Sequence, residues 1–323
     1  MNTRIALYQL ARTYKLSAPN IQTLFNDAGF NDEPAGLKHL FWRGAAVLAA
    51  ALGGLGLVLW VAANWETLGR MGRFALLQGA VLTMGLGAAT RPQLRVPLGL
   101  LALLCTGGLF AYFGQTYQTG ADAWQLFALW AVLGAFLCIG ARSDALWAPW
   151  AVVALTAISL WTYTHTGHRW RAEPQDFGVY AAAWAASLAV VACISPLLSR
   201  WTGAGPWAVR TAATLTVIGM TQAAVTALFH TPIAPHYPLA LALFALAAAA
   251  FAQRKYFEIF ILSATALGLN TLLVAGLVRY LFKDSGFDQI GNLLLIGIVA
   301  AGLLAASVSG IMRLARRNLV ESK

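Results

Sequence analysis

Apolar blocks of about 17–25 residues recur along almost the whole chain, each long enough as an α-helix to cross the roughly 30 Å of bilayer hydrocarbon. Nothing limits a fold more. Inside a bilayer no water is available to the peptide groups, so a crossing segment either bonds its own backbone as a helix or joins a closed barrel. The alternating hydrophobicity of barrel strands is absent, which leaves helices. Composition agrees: 59% of the residues are hydrophobic and 11% charged, against about 25% charged in soluble domains. The expected fold class is all-α, a polytopic transmembrane helical bundle.

Residues 1–43 stand apart as a polar prelude. Ile5, Leu7, Leu10 and Ala11 repeat at helical spacing, as do Ile21, Leu24 and Phe25. Between them Ser17-Ala18-Pro19-Asn20 supplies a turn and a cap for the second helix. Phe30 to Gly36 reads as a linker. The expectation is a short cytosolic helical hairpin used for packing or assembly, with residues 1–36 offering a surface to an envelope-protein partner. No secretory leader is expected, because this stretch lacks an adequate apolar core.

Ten spans are expected within residues 44–312: 44–63, 73–90, 97–113, 123–140, 145–163, 177–198, 208–229, 237–252, 256–282 and 290–312. Charge tests the threading. With both termini inside, sixteen Lys and Arg fall on the cytoplasmic side, including a basic tail at 313–323, and six on the other. That asymmetry obeys the positive-inside rule and needs an even number of helices. It also accounts for the net charge of +10 without nucleic acid, for which no basic run or aromatic-interleaved patch exists. Membrane lipids are the expected surroundings. Ten spans raise the question of an inverted repeat, and the segment from Pro97 to Gln115 does resemble that from Pro238 to Gln253. Leu/Ala-rich segments also resemble one another by chance.

Between two apolar blocks, Gly114 to Phe127 reads GQTYQTGADAWQLF, polar and free of Lys and Arg. The threading puts this turn outside, together with Asn64-Trp65-Glu66 at the end of the first span. Amides beside hydrocarbon need hydrogen-bond partners. Either the two loops tie to each other and to helix ends, or Asn64, Trp65, Gln115, Tyr117, Gln118, Asp122 and Trp124 line a neutral pocket for a polar head group. Trp65, Tyr117 and Trp124 also suit interfacial anchoring.

His165 and His168, with His230 and His236, fall on the same expected face. Imidazole ligates zinc and copper, but an HxxH in a loop is a weak pattern, and solvated loop histidines are the better reading. Cys105, Cys138 and Cys193 lie in apolar blocks without metal-type spacing and read as small buried side chains. No cofactor is expected. Within the spans Gln78, Gln222 and Asn270 read as interhelical glue, and Glu258 as an ion pair with Arg254 at i, i+4. No P-loop, HExxH, nucleophile elbow or intramembrane aspartate pair is present, so no catalytic residue is assigned.

Trp42-Arg43, Trp60-Val-Ala-Ala-Asn64-Trp65-Glu66, Gly72-Arg73-Phe74 with Gln78, and the GQTYQTG turn together resemble a family of bacterial inner-membrane proteins known as domain of unknown function 2157. The resemblance covers about residues 1–145. It implies a bacterial inner-membrane location and carries no activity with it. The expected function is a transporter-like permease or an accessory subunit of an envelope system. A membrane enzyme acting on a lipid head group, with Asp122 and a loop histidine as acid–base groups, is the first alternative. A structural or sensory membrane protein is the second.

Overall fold

The computed structural model describes residues 3–29, 36–64, 67, 69–117, 122–167, 171–283 and 289–320. Among them every regular element is helical. The order is α1 (Thr3–Thr13), α2 (Ala18–Asp27), α3 (Leu37–Ala63), α4 (Arg70–Thr90), α5 (Arg95–Tyr117), α6 (Ala123–Ala141) and α7 (Asp144–Thr166). It continues with α8 (Phe177–Cys193), α9 (Ser199–Thr202), α10 (Pro206–Leu228), α11 (His236–Ala252), α12 (Ile259–Leu281) and α13 (Gln289–Val320). The chain divides into two units, Met1–Ala49 and Ala50–Lys323, with the boundary inside α3.

In the first unit α1 and α2 pack together as the expected hairpin, with the Tyr8 and Phe25 rings 4.9 Å apart. Pro19 sits in the first turn of α2, where its missing N–H leaves no bond unmade. Ser17 holds the cap position with extended backbone, but its hydroxyl makes no capping bond. The linker expected from Phe30 to Gly36 lies, except for Gly36, outside the described residues.

Among the described residues ten long helices, α3 to α8 and α10 to α13, overlap the ten expected spans. Eight are both long and apolar enough to cross a membrane; α4 and α11 fall short. The reasons differ. Arg70, Arg73, Gln78 and several glycines dilute the hydropathy of α4. α11 is apolar throughout but has only 17 residues, about 25 Å of helix. Several expected ends also move. α8 stops at Cys193 rather than at 198, and a turn carrying Pro196 follows, since proline cannot continue a helix. α3 begins at Leu37, and α13 runs on through Arg313, Arg316 and Arg317 to Val320.

Large apolar side chains in mid-helix, among them Leu129, Phe136, Ile218, Leu246 and Ile298, are exposed. On a water-soluble chain this would be a liability; in a bilayer it is the lipid-facing surface. Contacts between helices rely on small residues and on indole N–H groups that find carbonyls. Trp130 Nε1 donates to the Leu103 carbonyl at 2.9 Å, and Trp150 Nε1 to that of Ala131 at 2.7 Å. Gly107 makes the first of these possible, because a Cβ there would lie 2.3 Å from the Trp130 ring.

α10 is the hub of the second half, touching α7, α8, α11 and α12. Its buried residues include Ala208, Ala212, Ala213, Ala223, Ala224 and Ala227, which let neighbouring backbones approach. Its N-terminus is fixed by a carboxylate from another helix. Asp144, the first residue of α7, accepts from Gly205 N at 3.1 Å, Trp207 N at 2.8 Å and Ala208 N at 2.8 Å. The intervening Pro206 has no N–H to satisfy. The carboxylate therefore meets the free donors of the first turn and opposes the positive end of the helix dipole. Around it Trp147 Nε1 donates to the Thr202 carbonyl at 2.8 Å, and the Arg142 guanidinium to that of Arg200. Gly203 has φ +66 and backs onto Arg142, whose Cα would lie 2.6 Å from an added Cβ. Arg142 itself turns the chain between α6 and α7 at φ 51. Glu258 caps α12 at Ile261 N and pairs with Arg210 of α10 at 2.9 Å. The sequence suggested Arg254 as its partner, but a helix-entry loop carries Glu258 toward the neighbouring helix.

Asp144→Ala should strip three amides of their acceptor and lower stability by about 2 kcal/mol. Thermal-shift measurement in detergent should show a clear fall in Tm, smaller for Asp144→Asn, which keeps one acceptor oxygen.

Candidate functional site

Helices α7, α8 and α10 enclose a groove of about 430 Å³, within the range of ligand sites. Val152, Leu155, Leu215 and Ile218 form an apolar part, and none of the lining residues is charged. The polar lining comes from Thr156, Ser159 and Tyr163, at helical spacing on α7, and from Thr216, Gln222 and Thr226 on α10. Tyr180, Trp184 and Ser187 close it from α8. Val152, Tyr163 and Ile218 are exposed, so the groove opens sideways to the lipid face.

Most of its hydroxyls are already engaged as donors. Thr156 gives its proton to the Val152 carbonyl at 2.7 Å, Thr162 to Ile158 at 2.9 Å and Ser187 to Ala183 at 2.8 Å. These keep lone pairs but no free proton. Thr216 differs: it is 6% exposed, and its Oγ1 has no partner. Gln222 is half-buried and forms no hydrogen bond to a described residue.

One end of the groove rests on the segment before α8. Ala172, fully buried, donates its N–H to Thr226 Oγ1 at 3.1 Å, and Tyr180 Oη donates to the Arg171 carbonyl at 3.0 Å. Beyond Tyr180 and Trp184 lies His236, 0% exposed, with Phe177, Tyr180 and Trp184 edge-on at 5.3, 5.0 and 6.2 Å. Neither ring nitrogen has a hydrogen-bond partner, and neither has the buried Oδ2 of Asp176. His236 was expected as a solvated loop residue. Instead it opens α11 and is sealed against aromatic rings, because Tyr180 and Trp184 of α8 lie over it.

The other histidines separate. His165 Nδ1 bonds the Trp161 carbonyl at 2.8 Å, while His230 pairs with Glu173 at 3.8 Å. His168 lies outside the described residues, among which no group of three or more His, Cys, Asp or Glu is placed to hold a metal ion. Cys105 and Cys138 are buried as expected, but Cys193, the last residue of α8, is exposed.

The residues expected to line a neutral outer pocket are only partly described. Trp65 and Gln118 lie outside the described residues. Asn64 Nδ2 donates to the Trp60 carbonyl of its own helix at 2.9 Å. Gln115 and Asp122 are exposed. The Tyr117 ring stacks with Phe113 at 4.8 Å and carries the Arg70 guanidinium at 4.4 Å. Trp124 faces His165 at 6.4 Å. These contacts build an aromatic and cationic rim around Phe74, Tyr112 and Tyr117. Of the span amides, Asn270 does act as glue, bonding Ser307 of α13 at 3.0 Å. Gln222 lines the groove instead. The signal was legible on α7, where Thr156, Ser159 and Tyr163 follow one another at three- and four-residue intervals, but spacing cannot show which helices pair.

Residues 9–147 match the model of a family described as Predicted membrane protein (DUF2157). The match ends four residues into α7, so every residue lining the groove lies beyond it. No curated protein and no solved structure matches the chain.

Thr226→Val should leave the buried Ala172 N–H without an acceptor, at a cost of about 1–3 kcal/mol. Thr156→Val removes only a bond within one helix turn and should be close to neutral. Thermal shifts of the two variants, measured side by side, test whether the segment before α8 is latched through Thr226.

Proposed function

We propose that this chain is a non-catalytic, permease-like component of a bacterial inner membrane, with both termini inside, that takes a neutral solute or amphiphile into the α7–α8–α10 groove. The observation that carries the reading is the groove itself: about 430 Å³, uncharged, and provided with hydroxyl and amide groups between apolar helices. A polar side chain facing hydrocarbon is costly unless something bonds it, and the groove concentrates several.

The orientation is supported by charge. Arg142, Arg200, Arg210 and Glu258 meet at one end of the helices, through the bonds from Arg142 to Arg200 and from Arg210 to Glu258. The His230–Glu173 pair joins loops at the opposite ends of α8 and α10. The first of these ends is the arginine-rich one, and in this reading it faces the cytosol. The helix ends carrying Asn64, Gln115, Tyr117 and Asp122 then face outward, and α1 with α2 is left inside to meet an envelope partner.

Labelling of single cysteines in a Cys193→Ser background tests the arrangement, since Cys105 and Cys138 are buried. Gln115→Cys should react with an impermeant maleimide in intact cells, and Lys255→Cys only after lysis. Reaction of both from the same side would refute the orientation.

A further inference from the structure

Building on the reading of the α7–α8–α10 groove as a ligand site, we propose that its occupant is a neutral lipid carrying an ester or amide carbonyl, held by hydrogen bonds from Gln222 and Thr216. The class follows from what the wall offers. No lining residue is charged, so a phosphate or ammonium group would enter without a counter-ion, which is costly at low dielectric. Thr156, Thr162 and Ser187 have given their protons to their own helices. Ser159, exposed on α7, also has no bond to a described residue; the other open donors are the Thr216 hydroxyl, buried and without a partner, and the Gln222 amide, half-buried and without a bond to any described residue. Thr216 and Gln222 both lie on α10, six residues apart, or about 9 Å along the axis. Open donors on an uncharged wall select an acceptor, and a carbonyl is the neutral acceptor that lipids carry.

The apolar requirement is met along the same groove. Val152, Leu155, Leu215 and Ile218 give acyl chains a dry wall, and the exposed edge formed by Val152, Tyr163 and Ile218 admits them from the bilayer. Gly219 stands in that wall, and a Cβ added there meets nothing within 4 Å. A large side chain at this position would therefore fill the groove rather than strike the fold.

The test uses the full chain in nanodiscs with a diacylglycerol carrying a diazirine on one acyl chain, and in parallel a phosphatidylglycerol carrying the same group. After irradiation, cross-links are mapped by mass spectrometry. Diacylglycerol should label peptides covering 152–163 and 215–226. Gln222→Leu should reduce that labelling about five- to tenfold, the effect of losing one hydrogen bond, and Gly219→Phe should abolish it. Labelling on α13, whose apolar face is open to lipid, should be unchanged in both variants and so reports an intact fold. Groove labelling by phosphatidylglycerol that equals or exceeds that by diacylglycerol would overturn the neutral-carbonyl assignment while leaving the groove as a ligand site. Labelling by either lipid that Gly219→Phe does not diminish would overturn both.

Discussion

One carboxylate ties the N-terminus of α10 to the start of α7. Asp144 begins α7 but spends its oxygens on the first turn of α10, where three amides would otherwise lack partners. Helix ends are the weak points of a membrane bundle, because the last turns have no intrahelical acceptors or donors and the bilayer supplies none. Here one end is satisfied from outside its own helix, and the bond fixes α10 against α7 at one level. α10 in turn touches α8, α11 and α12, so their positions depend on the same joint. Gly203 and Gly205 are required beside it for the close approach of the 199–206 segment to Arg142 and Asp144.

The groove is a consequence of that arrangement. α7 and α10 pack tightly at the Asp144 end, and the opposite end is held by Thr226 accepting from Ala172 and by Tyr180 donating to Arg171. Between these fixed ends the alanine-rich face of α10 packs inward. The face with Leu215, Ile218, Gly219 and Gln222 is left to line open space. Small residues make helices close, and the same shortage of bulk leaves room where a third helix stands off. The buried His236 behind Tyr180 and Trp184 belongs to this wall and gives it a rigid aromatic backing.

Some of the site could be read from residue order and some could not. The hydroxyls of α7 recur at one-turn intervals, which marks a polar stripe on an apolar helix. Whether such a stripe meets a neighbour or a cavity depends on pairing. Asn270 and Gln222 looked alike in sequence, yet the first bonds Ser307 and the second faces the groove. Glu258 likewise announced an ion pair by its type and depth, but its partner came from α10 rather than from its own turn.

Residue order by itself determined that the chain is helical and membrane-embedded, roughly where its long helices fall, and which of its ends carry the arginines. Those are local and cumulative properties: backbone bonding within a segment, hydropathy along it, and charge between segments. Only the tertiary structure decided that α10 is the hub, that Asp144 closes its N-terminus, and that the open polar groups gather between α7, α8 and α10. Each of those is a contact between residues tens of positions apart, set by which helix faces fit together, and no periodicity within one helix encodes the choice of its neighbour.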